Sequence, residues 1–336
     1  MKHTGAYERF VRPWFFSLDP ETAHHLVLKF LRTAGNRPLL FSGFRPATKA
    51  TKIFGITFPN PVGLAAGFDK NGVALRAWAA LGFGFVEIGT VTAQSQPGNP
   101  KPRIFRVPER DALINRLGFN NDGADAVAER LQRRRAKGQW PNIPVGINIG
   151  KSKVTPLENA VEDYVYSFRK FAPLADYITL NVSSPNTVGL RSLQKSETLG
   201  RLLRAVHEEN RTTKKPVLLK IAPDLSPAEL SEVVATCEAG DVAGIIATNT
   251  TLDHAGIPKD FDQTGGLSGR PLREKSTAVI RAIRAQTQLP IIASGGIFDA
   301  ESAREKLDAG AQLLQVYTGY IYRGPGLLRE IVDGLD

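Results

Sequence analysis

The chain has 336 residues, of which 42% are hydrophobic and 23% charged, so it can form a sizeable core and is not disordered. Its single cysteine, Cys237, excludes an internal disulfide framework and metal sites built from several cysteines, and it fits a reducing compartment. No apolar run approaches the ~18 residues of a membrane span, and the charges between Lys2 and Arg12 argue against a signal peptide.

The net charge of +10 is concentrated at the start of the chain. Residues 1–52 contain nine Lys and Arg against three Asp and Glu, and they hold 8 of the 27 aromatic residues. The other 284 residues carry 34 basic and 30 acidic side chains. The basic character therefore points to a partner of the first segment rather than of the whole protein.

We predict two amphipathic helices within residues 1–45, forming a helical extension of a catalytic domain over residues 46–336. The apolar residues with helical spacing are Tyr7, Phe10, Val11, Trp14 and Phe15 in the first helix and Ala23, Leu26, Val27, Phe30 and Leu31 in the second. Asp19 and Pro20 are a favourable N-cap and first residue for the second helix, whereas Pro13 should kink or shorten the first. Residues 36–46 are predicted to be a connector.

Beyond residue 52, eight short apolar runs alternate with segments of helical pattern. The runs are Pro61–Ala66, Phe85–Gly89, Val145–Ile149, Tyr177–Val182, Val217–Ile221, Gly244–Ala247, Pro290–Ala293 and Leu313–Val316. The helical segments include Gly72–Leu81, Ala124–Lys137, Leu157–Pro173, Ser226–Ala239, Leu272–Thr287 and Ala300–Ala309. Continuous apolar runs are typical of buried parallel strands, which need helical crossovers. Eight such units predict an α/β fold, a (β/α)8 TIM barrel, rather than an open sheet.

Polar residues follow nearly every predicted strand, where barrel enzymes carry their chemistry. They are Asn, Thr, Ser and Lys, with no His and with only Asp69 and Asp224 as carboxylates. This set argues against a metal site, the paired carboxylates of glycosidases and the serine motif of hydrolases. Amides, hydroxyls and two lysines suit a planar polar heterocycle and an anionic ligand, so a bound cofactor is expected to supply the chemistry.

Several of these residues have two interpretations. Lys220 lies inside an apolar run, where burial of an unpaired ammonium is costly, so ligand contact is favoured over a surface position. Lys70 either contacts a ligand or pairs with Asp69. Gly295–Gly296 either bind phosphate through backbone N–H groups or form a simple turn. Ser184–Asn186 is either catalytic or an ordinary turn.

A nucleic-acid partner is not expected. Arg133–Arg135 continue the polar side of a predicted helix, and Trp140 is the one aromatic residue near them. A basic run of this kind is usually a solvated helix face. His24 and His25 lie in the second predicted helix, where histidines are usually structural or solvated.

Seven motifs, in the same order along the chain, resemble those of the dihydroorotate dehydrogenase family. They are Asn60–Gly72, Asn115–Asn120, Asn181–Asn186, Leu219–Asp224, Ala247–Thr251, Gly265–Pro271 and Ala293–Ile297. The family divides into a soluble class with a cysteine base and a membrane-associated, quinone-using class with a serine base. Ser184 stands at the base position and residues 1–35 resemble the two-helix extension of the second class. The chain therefore resembles the quinone-dependent, bacterial type.

The resemblance implies oxidation of (S)-dihydroorotate to orotate in pyrimidine biosynthesis, with one FMN per subunit and no metal. Ser184 would remove the C5 proton, and Thr187 and Phe119 would shape a proton relay through water, because a free serine is a weak base. The substrate would be held by Lys70, Asn115, Arg116, Leu117, Gly118, Phe119, Asn181, Asn186, Asn249 and Thr250. The FMN contacts would be Ala66, Gly67, Phe68, Asp69, Lys70, Thr90, Asn148, Asn181, Lys220, Thr248, Gly269, Gly296, Tyr317 and Thr318.

The resemblance also implies a second half-reaction with ubiquinone or menaquinone. His24 and Arg106 match positions that hold the quinone head group. The aromatic, basic extension fits a helix pair lying on an anionic membrane surface, and simple packing of the helices on the barrel is the alternative. We expect a monomer bound peripherally to the cytoplasmic side of the inner membrane.

Two other functions remain open at this stage. One is an FMN barrel enzyme acting on a related pyrimidine with NADPH, which would be expected to use Cys in place of Ser184. The other is a non-catalytic membrane or nucleic-acid binding module, which only the net charge suggests.

Overall fold

The computed structural model of this chain describes residues 5–35, 37, 40–41, 43, 46–187 and 189–335. Part of the predicted connector 36–46, and the predicted domain boundary after residue 45, lie outside the described residues. The division into 1–45 and 46–336 remains a prediction.

Strands and helices alternate along most of the described chain. The strands are β1 (Thr51–Ile53), β2 (Ile56–Phe58), β3 (Val62–Leu64), β4 (Phe85–Thr92), β5 (Ile104–Val107), β6 (Ala112–Asn115), β7 (Val145–Gly150), β8 (Tyr177–Asn181), β9 (Val217–Ile221), β10 (Gly244–Ala247), β11 (Gly266–Gly269), β12 (Ile291–Ser294) and β13 (Leu313–Val316). The helices are α1 (Arg12–Ser17), α2 (Pro20–Ala34), α3 (Leu75–Ala80), α4 (Ala124–Ala136), α5 (Ala160–Phe171), α6 (Ser196–Asn210), α7 (Pro227–Ala239), α8 (Arg273–Arg284), α9 (Ala300–Asp308), α10 (Thr318–Arg323) and α11 (Gly326–Asp333).

Eight parallel strands close into a barrel in the order β3-β4-β7-β8-β9-β10-β12-β13, with β13 pairing back to β3. Each of the eight predicted runs contains or overlaps one of these strands, so the predicted (β/α)8 fold is confirmed. Their residues are buried on both faces because helices cover the outside and side chains fill the inside, which explains why the runs show no polar alternation. The barrel brings the carboxyl ends of all eight strands to one face.

Two further sheets were not predicted from the sequence. The β1–β2 hairpin lies at the amino end of the barrel, where Phe58 packs edge-on against Phe85 with ring centres 5.2 Å apart. Strands β5, β6 and β11 form an antiparallel sheet that pairs Asn115 with Gly266. Its strands are inserted after β4 and after β10, so this sheet lies at the catalytic face and covers part of it.

The extension contains the two predicted helices. Asp19 caps α2 by accepting a hydrogen bond from the Thr22 N–H at 2.9 Å, and Pro20 is the first helical residue, as predicted. A π-helical stretch, Tyr7–Val11, precedes α1. The α-helical pattern begins at Arg12, next to Pro13. Proline has no backbone N–H and so cannot donate a helical hydrogen bond to the preceding turn. The first helix is therefore short, and no helix among the described residues is long and apolar enough to cross a membrane.

Candidate active site

A cavity opens at the carboxyl ends of the barrel strands, and its empty volume, counted out to the mouth, is about 960 Å³. Most of the predicted site residues line it although they are spread over 250 residues of chain. These are Ala66, Gly67, Lys70, Thr90, Asn115, Leu117, Gly118, Phe119, Asn181, Ser184, Asn186, Lys220, Thr248, Asn249, Thr250, Gly269, Gly296, Tyr317 and Thr318.

Five of the residues predicted for the substrate, the FMN or the proton relay do not line this cavity: Phe68, Asp69, Arg116, Asn148 and Thr187. Asn148 is fully buried directly behind the cavity wall, where it contacts Thr90. Phe68 packs against Trp78 and Tyr317 with ring centres 5.2 and 5.3 Å away. Thr187 is buried in the loop that carries Ser184. Asn148 and Phe68 therefore support lining residues of the cavity from behind.

Asp69 supports the polypeptide chain rather than the cavity. Its carboxylate accepts hydrogen bonds from the Val73 and Ala74 N–H groups at 2.7 and 2.8 Å and from the Trp78 indole at 3.0 Å. Burial raises the pKa of Asp69, although these three donors oppose the shift. The side chain shapes the turn that leads into α3, and Asp69 forms no pair with Lys70.

Arg116 also faces away from the cavity. Its guanidinium donates to the Thr264 and Pro102 carbonyls and lies over the Phe105 ring, 4.7 Å from its centre. The backbone of Arg116 still belongs to the cavity loop, because its carbonyl accepts a hydrogen bond from Asn99 at 2.9 Å.

A chain of side-chain hydrogen bonds runs along the cavity wall. The Asn249 amide donates to the Ser183 hydroxyl at 3.0 Å, and that hydroxyl donates to Asn181 Oδ1, also at 3.0 Å. The Asn181 amide donates to Thr90 Oγ1 at 2.9 Å, and Thr90 donates to Asn148 Oδ1 at 2.6 Å. Each amide is thereby held in one orientation, which leaves a pre-arranged set of donors and acceptors for a bound ring.

Ser184 is buried in the cavity wall, and its Oγ accepts a hydrogen bond from the Asn186 N–H at 3.2 Å. The Asn186 amide in turn donates to the Asn115 carbonyl and side chain at 3.1 and 3.2 Å. No His or carboxylate among the described residues is hydrogen-bonded to Ser184. Proton removal by this hydroxyl therefore depends on what surrounds it when substrate is bound.

Two lysines line the cavity. Lys70 Nζ donates to Asn120 Oδ1 at 2.9 Å, and burial together with the nearby Arg103 charge lowers the pKa of Lys70 to about 8, although Glu21 opposes the shift. Lys220 is only 6% exposed, and no described group forms a hydrogen bond or ion pair with it. Burial lowers the pKa of Lys220, and the charge of Glu87 opposes this. A buried ammonium without a bonded partner is suited to an anionic ligand.

Glycines form the wall at the end of the cavity nearest β12 and β13. Gly295 and Gly296 have positive φ angles of 114° and 72°, which L side chains rarely adopt. A Cβ on Gly296 would lie 2.3 Å from Arg273 Cα, and one on Gly319 would lie 2.0 Å from the Ile297 carbonyl oxygen. Because the close packing leaves no room for side chains, the wall is formed by backbone at this end of the cavity, which is compatible with the phosphate interpretation.

Sequence reasoning missed several residues of the site. Gln315 and Ser268 line the cavity, and Arg191 joins its loops by donating to the Ser183 and Thr250 carbonyls and to Asp224. Gln315 carried a signal, because it is polar within an apolar run in the same way as Lys220. Arg191 carried none, because its partners are distant in sequence.

The family model for dihydroorotate dehydrogenase matches residues 48–336. The chain belongs to the dihydroorotate dehydrogenase family. It is 52% identical to a protein of Gloeobacter violaceus named dihydroorotate dehydrogenase (quinone), with 97% of this chain and 93% of that protein covered. A protein of the same name from Burkholderia pseudomallei is 48% identical, with 96% of each chain covered. The bacterial, quinone-type resemblance is therefore confirmed.

Solved structures of the family share this fold. The ligand-free DHODH of Eimeria tenella superposes with a TM-score of 0.86 at 38% identity, covering 94% of each chain. The complex of DHODH from Eimeria tenella with ferulenol gives a TM-score of 0.83 at the same identity, covering 94% of this chain and 90% of that one. The chain, as a member of this family, is an oxidoreductase.

The two residues predicted to hold the quinone differ in position. His24 lines a second cavity of about 640 Å³ between α2 and the barrel. Its ring is 5.1 Å from that of Phe68, and burial and the Lys70 charge lower the pKa of His24 to about 3, so its imidazole is neutral at pH 7. Arg106 does not line this cavity and instead donates to the carbonyls of Phe15, Phe16 and Leu18 at the end of α1.

The described residues include no group of three or more His, Cys, Asp or Glu side chains arranged to hold a metal ion.

Proposed function

We propose that the protein oxidises dihydroorotate to orotate with FMN bound in the large cavity, and that a quinone is the final electron acceptor. Membership of the dihydroorotate dehydrogenase family supports the oxidation of dihydroorotate. The arrangement of the cavity supports the cofactor and its orientation. One end is lined by glycines, and the other end carries several amides together with Lys70. Between them lies the buried Lys220, which has no bonded partner among the described groups.

The glycine-lined end fits a phosphate group. Gly295, Gly296 and Gly319 line this end with backbone that carries no side chains, and the hydroxyls of Thr318 and Ser268 are hydrogen-bonded to each other at 2.9 Å. Phosphate sites formed by the loops after the last barrel strands have this character. We assign this end to the FMN phosphate.

The middle of the cavity fits the flavin ring. Thr90, Asn181, Lys220 and Thr248 line it, and Asn148 supports Thr90 from behind. Their amides and hydroxyls can bond a planar heterocycle, and the ammonium of Lys220 stabilises negative charge on it. When bound there, FMN would accept the hydride that leaves the substrate.

The other end of the cavity fits the anionic substrate. Lys70 supplies a positive charge, and Asn115, Asn186, Asn249 and Thr250 supply hydrogen-bond donors and acceptors. Leu117, Gly118 and Phe119 form the adjacent wall. A carboxylate and two ring amides need this combination of charge and oriented amides, so we assign dihydroorotate to this end.

Ser184 is our candidate for the general base at C5 of the substrate. The Asn186 N–H already bonds to Ser184 Oγ, and the same contact would stabilise the alkoxide that forms when this hydroxyl gives up its own proton to water, before it takes the proton from C5. We assign Thr187 and Phe119 to the passage of the proton through water. Thr187 lies three residues after Ser184 in the same loop, and Phe119 lines the cavity itself.

The second cavity is our candidate for the quinone. It shares Gly67, Lys70, Leu117 and Tyr317 with the large cavity, so one wall separates the two spaces. His24 supplies a neutral imidazole there, and Arg106 fixes the end of α1 beside the helix pair.

The extension is our candidate for peripheral membrane contact. Phe10, Trp14, Leu26 and Phe30 are 68%, 58%, 41% and 58% exposed, although they lie on the predicted apolar faces. The same segment carries the excess of basic residues. Exposed aromatic side chains beside basic ones favour an anionic membrane surface, here the cytoplasmic side of the inner membrane, with the protein as a monomer.

Anaerobic addition of dihydroorotate to the purified yellow protein tests this function. Bleaching of the visible flavin band, followed by recovery on adding a quinone but not fumarate or NAD, is the expected result. A yellow protein that does not bleach would retain the FMN site and overturn the substrate, and NADPH with a related pyrimidine would be tested next.

A further inference from the structure

A buried carboxylate lies inside the barrel, behind the wall of the large cavity. Glu87 is fully buried on β4 and does not line the cavity. Its Oε1 accepts a hydrogen bond from the Asn148 amide at 2.9 Å. Its Oε2 accepts from the Gln315 amide at 2.9 Å and from the Tyr177 and Thr179 hydroxyls at 3.1 Å.

Two of these four donors belong to the site. Asn148 continues through Thr90 to Asn181, which lines the cavity, and Gln315 lines the cavity itself. A carboxylate only accepts hydrogen bonds, so it forces both amides to present their NH₂ groups to Glu87. The carbonyl oxygens of Asn148 and Gln315 are then directed elsewhere.

The oxygen of Gln315 has no partner. Gln315 is 1% exposed, and Oε1 is a buried acceptor without a hydrogen bond to any described group. Burial of an unsatisfied acceptor is costly, and such an atom in a native structure calls for an explanation. The contact with Glu87 supplies that explanation, because it alone among the described groups holds the Gln315 amide and it leaves the oxygen without a donor.

We propose that Glu87 is a positioning residue for the cofactor, which orients the amides of Gln315 and Asn148 and, through Asn148, the Thr90 and Asn181 side chains that line the cavity. This inference rests on the proposed function, since it places FMN in this cavity. The only charged side chain near Glu87 that lines the cavity in the described structure is Lys220, so Glu87 also sets the charge balance there.

Replacement of Glu87 by Gln separates orientation from packing. The glutamine side chain has nearly the same shape, but one of its two terminal atoms is an NH₂ group, which donates hydrogen bonds. If this NH₂ group faces the amide of Asn148 or Gln315, that amide must turn over to present its oxygen. A turned Asn148 would present its NH₂ group to Thr90, which already accepts from Asn181. The change in orientation is therefore passed to the cavity through the Asn148–Thr90 and Thr90–Asn181 hydrogen bonds.

The test measures the dissociation constant and the midpoint potential of FMN bound to the full-length protein. For Glu87→Gln we expect FMN binding to weaken about tenfold or more, which is the scale of one lost hydrogen bond to a charged group. We also expect the potential to become more positive at pH 6, because a negative charge that opposes reduction has been removed. Glu87→Asp keeps the charge, so its potential should stay close to that of the wild type.

Asp163→Asn is the matched control. Asp163 is also a buried carboxylate with hydrogen-bonded neighbours, Ser152 and Thr155, but it lies outside the cavity. The Asp163→Asn substitution should leave both the FMN dissociation constant and the midpoint potential unchanged. If Glu87→Gln does not fold, Gln315→Met provides the second test, since it removes the cavity-lining amide that Glu87 orients and should weaken FMN binding with little loss of stability in the cofactor-free protein.

Two negative results are distinguishable. If the wild-type protein bound no FMN, the proposed function would be wrong, and this inference would fall with it. If the wild type bound FMN but Glu87→Gln and Gln315→Met bound it equally well and at the same potential, Glu87 would be a structural residue only, and this inference alone would be overturned.

Discussion

Arg103 and Glu21 form a buried, bidentate ion pair that joins the extension to the barrel. Arg103 donates from Nη2 to Oε1 at 2.7 Å and from Nε to Oε2 at 3.1 Å. Both residues are about 5% exposed, and Lys101 lies 3.4 Å from the same carboxylate. Glu21 is in the first turn of α2, and Arg103 directly precedes β5, so this pair sets the position of α2 over the second cavity.

Glu21→Gln is expected to destabilise the protein by about 3–5 kcal/mol, because it leaves the Arg103 guanidinium buried without its counter-charge. Unfolding in urea measures this change. Glu129→Gln is the control, since Glu129 pairs with Arg133 on the surface and both side chains are 62% exposed. That change should cost less than about 1 kcal/mol. Equal effects of the two substitutions would contradict the importance of burial.

The same pair predicts a pH dependence. Burial alone would raise the pKa of Glu21, but the hydrogen bond and charge of Arg103 hold it below its usual value of 4.5. A lowered carboxyl pKa in the folded state contributes stability that is present above pH 4.5 and is lost as the pH falls through the folded-state value. We therefore expect the difference in urea midpoint between the wild type and Glu21→Gln to be smaller at pH 3 than at pH 7.

Ser184→Ala is expected to slow anaerobic bleaching by dihydroorotate about 100- to 10,000-fold, the usual contribution of a general base. The protein should remain yellow, because Ser184 is assigned to the substrate end of the cavity. Ser184→Cys should recover part of the rate with a pH profile moved to lower pH, since a thiol ionises near pH 8.5. Ser231→Ala on the exposed side of α7 is the control. Unchanged bleaching in Ser184→Ala would remove this residue from catalysis.

The lowered pKa of Lys70 predicts that the affinity for substrate decreases at alkaline pH. Its pKa of about 8 means that the ammonium is lost as the pH rises past this value, and an anionic substrate then loses its counter-charge. We expect kcat/KM for dihydroorotate to fall above pH 8. In Lys70→Arg the guanidinium stays charged, so the fall should disappear even if the overall rate is lower. A fall at the same pH in both proteins would assign the titration to another group.

The exposed aromatic residues of the extension predict weaker membrane binding when they are removed. Trp14→Gln with Phe30→Gln should reduce partition onto vesicles of anionic lipid about tenfold or more, since full burial of one such side chain contributes about 1.5–3 kcal/mol. Bleaching by dihydroorotate should not change. Val154→Gln alters another side chain that is 71% exposed, far from the extension in sequence, and should not affect partition. Equal partition of all three proteins would exclude this surface.

Much of the site followed from local sequence. The apolar runs predicted the barrel strands because a strand covered on both faces must be apolar throughout. The residues after each run could then be assigned to one face, because parallel strands end together. Lys220 was recognisable as a site residue for a related reason, since a charge inside a buried strand needs a ligand or a partner.

Other parts of the site depended on contacts between distant segments. Strands β5, β6 and β11 are too short and too far apart in sequence to show as one sheet, yet they bring Asn115 and Gly269 to the cavity. Asp69 belongs to a predicted site motif, but its carboxylate turns inward to the start of α3 because backbone N–H groups there need an acceptor.

The sequence by itself determined the fold, the family and the face on which the chemistry occurs, because hydrophobic periodicity and short motifs are local properties. The tertiary structure alone decided which polar atoms meet. Glu87 and Gln315 are 228 residues apart, and only closure of the barrel places the carboxylate against the amide. The orientation of each amide is set by such contacts, since a side chain's hydrogen-bond partner depends on distance in space and not on position in the chain.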